Sequence, residues 1–341
     1  MLTGGASPER DVAFAGAAQV VTALRGRGHQ VTVVDTVNGP FSQADETRYL
    51  VPSVGRTPPD AETLRAMAQR ELGPRLADIP AVRNADVVFL VLHGRLGEGG
   101  TLQALLELVG VPYTGSGPIG SALAMDKDVA KRLFRSAAVP TPDWVLWPAG
   151  QSEIDGLGYP LVVKPSKVGS TVGLTVVREP RGVQAAVEAA LQFDDEVLLE
   201  RFVGGRELTV GILADRALAV GEIVPQHEIF DYECKYTPGM SLEIFPAHLP
   251  PGVAEHVGQL ALAAHKVLKL RDFSRIDFRL GPGLTPLCLE ANTLPGLTPT
   301  SLLPQSAAAV GIDFPALCDT LCQQALRRAR SRNKVVATGK K

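Results

Sequence analysis

The chain has 341 residues, 45% of them hydrophobic and 21% charged, with a formal net charge of -2; this is globular composition, long enough for two or three modest domains. So small a net charge offers no field to gather nucleic acid or an anionic membrane, and partners of both kinds are excluded on that ground. No apolar run approaches the roughly 20 residues of a membrane span, no charged-then-apolar signal segment opens the chain, and its four cysteines include no Cys-x-x-Cys pair, so a reducing compartment, the cytoplasm, is expected.

The chain opens with Met1-Leu2-Thr3-Gly4-Gly5-Ala6-Ser7-Pro8-Glu9-Arg10, two glycines and then a helix start in which Ser7, Pro8 and Glu9 suit an N-cap, a first turn and an acidic early position. A helix-like stretch over 17–27 ends in Gly26 and Gly28 and leads to the apolar run 31–34. Residues 87–92, Val-Val-Phe-Leu-Val-Leu, read as a buried parallel strand. They pass directly into His93-Gly94-Arg95-Leu96-Gly97-Glu98-Gly99-Gly100. Loops at the carboxyl ends of parallel strands are the usual ligand crevice, which raises His93 above an ordinary structural histidine. This alternation predicts a parallel α/β domain over 1–117.

A second unit, 118–203, is predicted as a small α+β domain. It has helices at 127–136 and 183–191 and strands at 161–164, 173–177 and 197–202. Within it, Leu161-Val162-Val163-Lys164 runs into the loop Pro165-Ser166-Lys167-Val168-Gly169-Ser170-Thr171-Val172-Gly173. A lysine point charge beside a Gly/Ser/Thr loop suits a phosphate, although an ordinary hairpin fits equally well. It is not a Gly-x-x-x-x-Gly-Lys-Ser/Thr loop, because the lysine precedes the loop and no helix follows.

The third unit, 204–330, carries predicted strands at 208–213, 217–224, 274–280 and 286–291. The polar-aromatic stretch 230–239 is either a lid that excludes water or a plain surface loop. In Arg275-Ile276-Asp277-Phe278-Arg279-Leu280, alternation sets Ile276, Phe278 and Leu280 on one face and Arg275 with Asp277 on the other. After Gly281-Pro282-Gly283, Leu287, Leu289 and Ala291 form an apolar face, with Glu290 and Asn292 opposite. If the apolar faces share a core, Asp277, Glu290 and Asn292 converge as hard oxygen ligands suited to Mg²⁺; a solvated polar face is the plainer reading of alternation alone. The irregular loop 293–302 that follows favours a binding site. A last helix begins near Asp313, with Pro315 in its first turn and Leu317, Leu321 and Ala325 at four-residue spacing. Cys318 and Cys322 read as core thiols. The cluster Arg327, Arg328, Arg330 and Arg332 reads as a frayed, solvated end, with 331–341 a disordered tail. His227, His248, His256 and His265 show no metal spacing and are assigned no role.

Taken in order, several of these segments resemble the D-alanine–D-alanine ligases of the ATP-grasp superfamily. The blocks are Gly4 to Arg10, Leu92-His93-Gly94, Pro112 to Gly117, Met125-Asp126-Lys127, Val163-Lys164-Pro165-Ser166, Gly205-Arg206-Glu207, Asp231-Tyr232-Glu233 with Lys235-Tyr236, Arg275-Ile276-Asp277 and Glu290-Ala291-Asn292-Thr293. The resemblance implies an α/β, ATP-grasp fold in which a parallel α/β N-terminal domain precedes two α+β domains that clasp ATP. Lys127, Lys164 and, on lid closure, Lys235 would contact the phosphates. Glu200 and Val203 would lie against the adenine edge, and Glu207 would bind the ribose. Asp277, Glu290 and Asn292 would hold two Mg²⁺ ions, with Mn²⁺ as a substitute. Glu9 would take the ammonium of the first D-alanine, linked to the lid through Ser170 and Tyr236, with His93 nearby. Arg275 and the Gly296 backbone would stabilise the oxyanion, and Ser301 with Leu302 would hold the second D-alanine.

The implied reaction passes the γ-phosphoryl of ATP to one D-alanine carboxylate, after which the amine of the second attacks the D-alanyl phosphate. The product would serve peptidoglycan precursor synthesis, and the implied assembly is a homodimer joined through the first domain. The chain departs from the family pattern in having only Met1, Leu2 and Thr3 before Gly4, Gly99 where an aspartate is usual, and Val168 where an acid is common. The alternatives are a D-alanine–D-lactate or D-serine variant, another ATP-grasp carboxylate–amine ligase, and a nucleotide-binding regulator. Tyr236 after Lys235 favours the dipeptide-forming type, and the complete acidic and amide set weighs against a regulator.

Overall fold

A computed structural model describes residues 1–55, 57, 59–237, 239–298 and 301–338, and among these the strands form three sheets. The first contains β1 (Leu2–Thr3), β2 (Val34–Asp35) and β3 (Gly39–Pro40), with β1 and β2 parallel and β3 antiparallel to β2. The run 87–92 lies beside it. Parallel bridges join Leu2 to Leu90 and Val88 to Tyr113, and Val88 to Leu92 are all buried. Its main-chain pairing is thus limited to bridges rather than the continuous strand expected. Although β1 is only two residues long, both its edges are held: Leu2 donates its N–H to Phe89 O at 2.9 Å and accepts from Val91 N–H at 3.0 Å on one side, and Met1 O accepts from Val34 N–H at 2.9 Å on the other.

The first helix, Arg10–Gly26, begins seven residues before the expected position 17: its inward residues Ala13, Ala17, Val20, Val21 and Leu24 continue one stripe, which outweighs the cost of Gly16 in its interior. Glu9, not Ser7, occupies the cap position, and Ser7 Oγ accepts the Glu9 N–H at 3.1 Å.

The second sheet holds β4 (Trp144–Leu146), β5 (Leu161–Pro165), β6 (Thr175–Val177) and β7 (Val197–Arg201) in the order β4-β7-β5-β6, every pair antiparallel. Helices Gln151–Leu157 and Val183–Ala190 bury Ile154, Leu157, Ala186 and Val187 against Leu161, Val163 and Leu199. The third sheet holds β8 (Arg206–Leu213), β9 (Arg216–Pro225), β10 (Ser241–Ile244), β11 (Phe273–Leu280) and β12 (Pro286–Asn292) in the order β10-β9-β8-β11-β12. Helix Val253–Val267 covers it with Val257, Leu260, Ala261 and Ala264, an i, i+3, i+4, i+7 stripe.

Packing does not follow the chain order throughout. Helices Pro118–Met125 and Lys127–Ser136, grouped above with the second unit, bury Ala124, Ala130 and Phe134 in the core of the third sheet beside Leu208, Ile276 and Phe278. The last helix, Phe314–Thr338, returns to the first domain, where Leu317, Cys318, Leu321 and Cys322 enter the core with Val20, Val21 and Leu24. Residues 331–338 continue this helix rather than forming a separate disordered tail; 339–341 and the Arg332 side chain lie outside the described residues. Nor is Arg328 a solvated end. It pairs with Asp272 and donates to Tyr113 O at 2.6 Å, while Gly115 N–H donates to the same Asp272 at 2.9 Å.

Candidate active site

The β11–β12 hairpin sets the polar centre. Asp277 pairs with Glu290 and Arg275 with Asn292, so all four side chains share one face. A bulge follows Asp277 and brings Phe278 opposite Cys288. That extra residue reverses part of the expected alternation: Cys288 and Ala291 enter the core, while Leu289 lines the cleft and Leu287 is half-buried. Asp277 accepts from Arg275 (Nε at 3.0 Å, NH2 at 2.8 Å), from Asn292 Nδ2 at 2.9 Å and from Thr209 Oγ1 at 2.7 Å. Burial alone would raise the Glu290 carboxyl. Lys127, Lys235, Lys164 and Arg275 outweigh it and bring the group down to about 2, so Glu290 is ionised.

Facing this hairpin is a lysine cluster. Lys127 Nζ lies 3.5 Å from Glu290 Oε2 and donates to Val168 O at 2.9 Å. Lys164, at the end of β5, donates to Glu200 Oε1 at 2.8 Å. Glu200 Oε2 lies 2.6 Å from Lys131, a fully buried lysine that also donates to Thr141 Oγ1. The Glu200 side chain therefore balances two ammonium groups, and only its main chain remains for the cleft edge. Lys127, Lys164, Glu200 and Glu290, with Val203, Phe202, Ile223, Leu289 and Phe230, line a cleft of about 960 Å³ between the second and third sheets. Glu207 lies in the same cleft, 3.0 Å from Arg279; burial raises its carboxyl despite that arginine.

A second cavity, about 640 Å³, adjoins the first, and Ser170, Phe230, Lys235, Arg275 and Leu302 line both. Glu9 reaches into it from the start of the first helix and accepts from Ser170 Oγ and Tyr236 OH, each at 2.8 Å. Burial would raise the Glu9 carboxyl, but His93, Lys235 and these two hydrogen bonds carry it below its ordinary value. Ser170 and Thr171 hold φ of +57° and +59°. Such an angle is costly for the β-branched Thr171 and marks a tightly shaped loop at the cavity edge.

Tyr236 is delivered by helix Tyr232–Tyr236, whose cap Asp231 accepts Cys234 N–H at 2.9 Å. His93 is buried on the cavity wall, its Nε2 has no hydrogen-bond partner among the described residues, and burial lowers its pKa. Gly296 packs so closely that a Cβ there would meet Ser301 Oγ at 2.8 Å. Ser301 Oγ accepts Thr298 N–H at 2.9 Å, and Leu302 closes the wall between the cavities. Of the stretch 230–239 read as a lid, Pro238 is outside the described residues, as are Pro299 and Thr300 of the loop 293–302.

Every site residue named from the sequence falls in or beside these two cavities; Asn292 lines the second and donates from its amide to Asp277 in the first. A family profile described as the D-ala D-ala ligase N-terminus matches residues 1–116, and one described as the D-ala D-ala ligase C-terminus matches residues 135–323. The chain belongs to the D-alanine–D-alanine ligase family.

It is 41% identical over 333 residues to the D-alanine–D-alanine ligase of Nitratidesulfovibrio vulgaris strain DP4, which covers 96% of this chain and 98% of that protein. It is 38% identical over 336 residues to that of Synechococcus sp. strain JA-2-3B'a(2-13), covering 97% and 93%. The crystal structure of the Bacillus anthracis D-alanine–D-alanine ligase complexed with ATP superposes with a TM-score of 0.76 at 30% identity, over 97% of each chain. The fold is accordingly the ATP-grasp fold of this family.

Two residues of the site escaped the sequence reading. Lys131 sits one turn after Lys127 on a helix whose inward stripe includes Ala130 and Phe134, and a lysine among such neighbours was the available signal. Glu98 accepts N–H bonds from Gly94 at 3.0 Å and Leu294 at 3.3 Å, tying the His93 loop to the loop after β12; burial, and then Glu9, push its carboxyl up to about 8. Nothing local to the sequence marks that link, because its two ends are 196 residues apart.

Proposed function

We propose that this chain uses ATP to join two D-alanines into D-alanyl-D-alanine through a D-alanyl phosphate, as a step of peptidoglycan precursor synthesis. The observation that carries the reading is the adjacency of the two cavities. A lysine-lined cleft suited to a polyphosphate meets a cavity built around an ionised Glu9, and Arg275 and Lys235 line both. Lys127 and Lys164, with Lys235 from the lid, balance phosphate charge, and the apolar walls at Phe202, Val203, Ile223 and Leu289 suit a purine. Glu207 is placed in the cleft for the ribose hydroxyls.

Asp277, Glu290 and Asn292 present hard oxygen donors from neighbouring register positions, and the lowered pKa of Glu290 suits a cation. These residues would hold Mg²⁺, two ions or Mn²⁺ in its place. The metal would supply neutralisation of phosphate charge.

The ammonium of the first D-alanine pairs with Glu9, and this orients its carboxylate toward the phosphate cleft. Ser170 and Tyr236 hold Glu9 in place and join it to the lid helix, so a closed lid excludes water from the acyl phosphate. His93 supports the same subsite. The second D-alanine sits against Ser301 and Leu302. When its amine attacks, the Arg275 guanidinium and the Gly296 N–H receive the developing oxyanion.

Among the described residues no helix is long and apolar enough to cross a membrane; a cytoplasmic homodimer is the proposed setting. The test is phosphate release from ATP and Mg²⁺ with D-alanine, L-alanine or no amino acid. The expected result is release that depends on D-alanine, with the dipeptide identified by mass spectrometry. Release indifferent to D-alanine, in folded protein that binds ATP, would sink the assignment.

A further inference from the structure

The lid helix and the segment leading into it carry a second group of ligating side chains that the reaction does not use. His227, at the foot of β9, lies four residues before Asp231 and seven before Cys234. The nitrogen, carboxylate oxygen and sulfur of these residues all lie within 4.8 Å of one another. Among the described residues this is the one trio of His, Cys, Asp or Glu side chains close enough to share an ion. His227 Nδ1 and Asp231 Oδ2 are 2.7 Å apart, so the two groups already face each other. Cys234 is a free, buried thiol whose wall is formed by Ile223, Phe230 and Leu302. Burial and the neighbouring Asp231 carboxylate push that thiol up, against the main-chain N–H groups of His227 and Gln226; a bound cation would reverse the effect of the carboxylate. His227 and Asp231 are both about a third exposed, which leaves a solvent side open for entry and for a fourth, water ligand.

We propose that His227, Asp231 and Cys234 form a binding site for one borderline-soft divalent metal ion of the zinc class. The donor set decides the class. An imidazole, a carboxylate and a thiolate suit Zn²⁺ or Co²⁺ in tetrahedral geometry, whereas Mg²⁺ takes oxygen ligands and is disfavoured by sulfur. All three ligands come from one segment of eight residues, and it is their convergence in space rather than a known spacing that marks the site. The site is separate from Asp277, Glu290 and Asn292, which are all oxygen or amide donors. Its consequence is mechanical: Cys234 immediately precedes Lys235 and Tyr236. An ion bound here ties the helix that carries those two residues to the end of β9.

The experiment titrates Co²⁺ into the reduced, full-length chain without Mg²⁺ or nucleotide and records the absorption spectrum. The result expected is a thiolate-to-cobalt charge-transfer band that saturates at one ion per chain and is displaced by Zn²⁺. Oxygen ligands in the catalytic cleft cannot produce this band, which separates the two sites. Cys234→Ala should abolish it, His227→Ala should weaken Co²⁺ binding at least tenfold, and Cys318→Ala should leave it unchanged. Absence of the band in the unmodified chain, its survival in Cys234→Ala, or undiminished affinity in His227→Ala would each overturn the site. His227 is largely on the surface, so its variant tests the site even if Cys234→Ala does not fold.

Discussion

Glu200 sits between two lysines, and removing one lysine is not equivalent to removing the acid they share. Lys131, fully buried, lies 2.6 Å from Glu200 Oε2, and Lys164 donates to Oε1 at 2.8 Å. Lys131→Met keeps the aliphatic stem and leaves a Glu200–Lys164 pair intact. It removes the charge-assisted bonds to Glu200 Oε2 and Thr141 Oγ1 but strands no buried charge, a loss of about 2–3 kcal/mol. Glu200→Gln preserves shape but leaves two ammonium groups flanking a neutral amide, and stranding buried charge costs about 3–5 kcal/mol. Glu200→Gln is therefore the more damaging change. Burial already lowers the Lys131 pKa. Without its acid that lysine sheds its proton more readily, so the deficit of Glu200→Gln narrows as pH rises.

Urea unfolding followed by tryptophan fluorescence reads this directly. Both tryptophans, Trp144 and Trp147, lie in the second unit, and Lys131 Nζ is 4.9 Å from the Trp144 ring centroid. Equal losses for the two variants, or a larger loss for Lys131→Met, would refute the view that one carboxylate balances both cations.

Three further outcomes are expected. Glu98, pushed up to about 8, keeps its proton in the folded chain after the unfolded chain has released it. The stability this contributes is full below the ordinary carboxylate value and is lost as pH rises to about 8, at no more than about 1.4 kcal/mol per unit; urea midpoints across that window should lose this slope in Glu98→Gln, and an unchanged slope would clear Glu98 of the effect. Gly296→Ala forces a methyl onto Ser301 Oγ, so dipeptide formation should fall at least tenfold while ATP affinity by calorimetry stays within about twofold; a variant with full turnover would remove the close packing from the argument. Arg328→Ala breaks the clamp on Asp272 and Tyr113 and should destabilise the chain by about 2 kcal/mol in chemical denaturation; a change under about 0.5 kcal/mol would mean the helix 314–338 is held by its apolar face alone.

What the sequence determined by itself was local. Helix 127–136 was legible to the residue, because its amphipathic stripe starts behind the cap Asp126 and ends before Ala137. Strands β5, β6, β7, β8, β9, β11 and β12 were legible within about two residues from their apolar runs, whereas the short β4 and β10 left no such mark. The convergence of Asp277 with Glu290 followed from alternation on either side of a Gly-Pro-Gly reversal, where sequence neighbours become spatial neighbours.

Tertiary structure alone decided the rest. One bulge turned Leu289 out of the core and into the cleft, a register event that alternation cannot encode. The helix 314–338 crosses back to the first core, and helices 118–125 and 127–136 join the third sheet, because each apolar stripe states only that something must cover it. Glu9 meets Ser170 across 161 residues and Tyr236 across 227; the resemblance to a family implied that meeting, and no spacing did. The trio at 227, 231 and 234 lies within one short segment, yet only the turn of the chain into the lid helix aims its three ligands at one point.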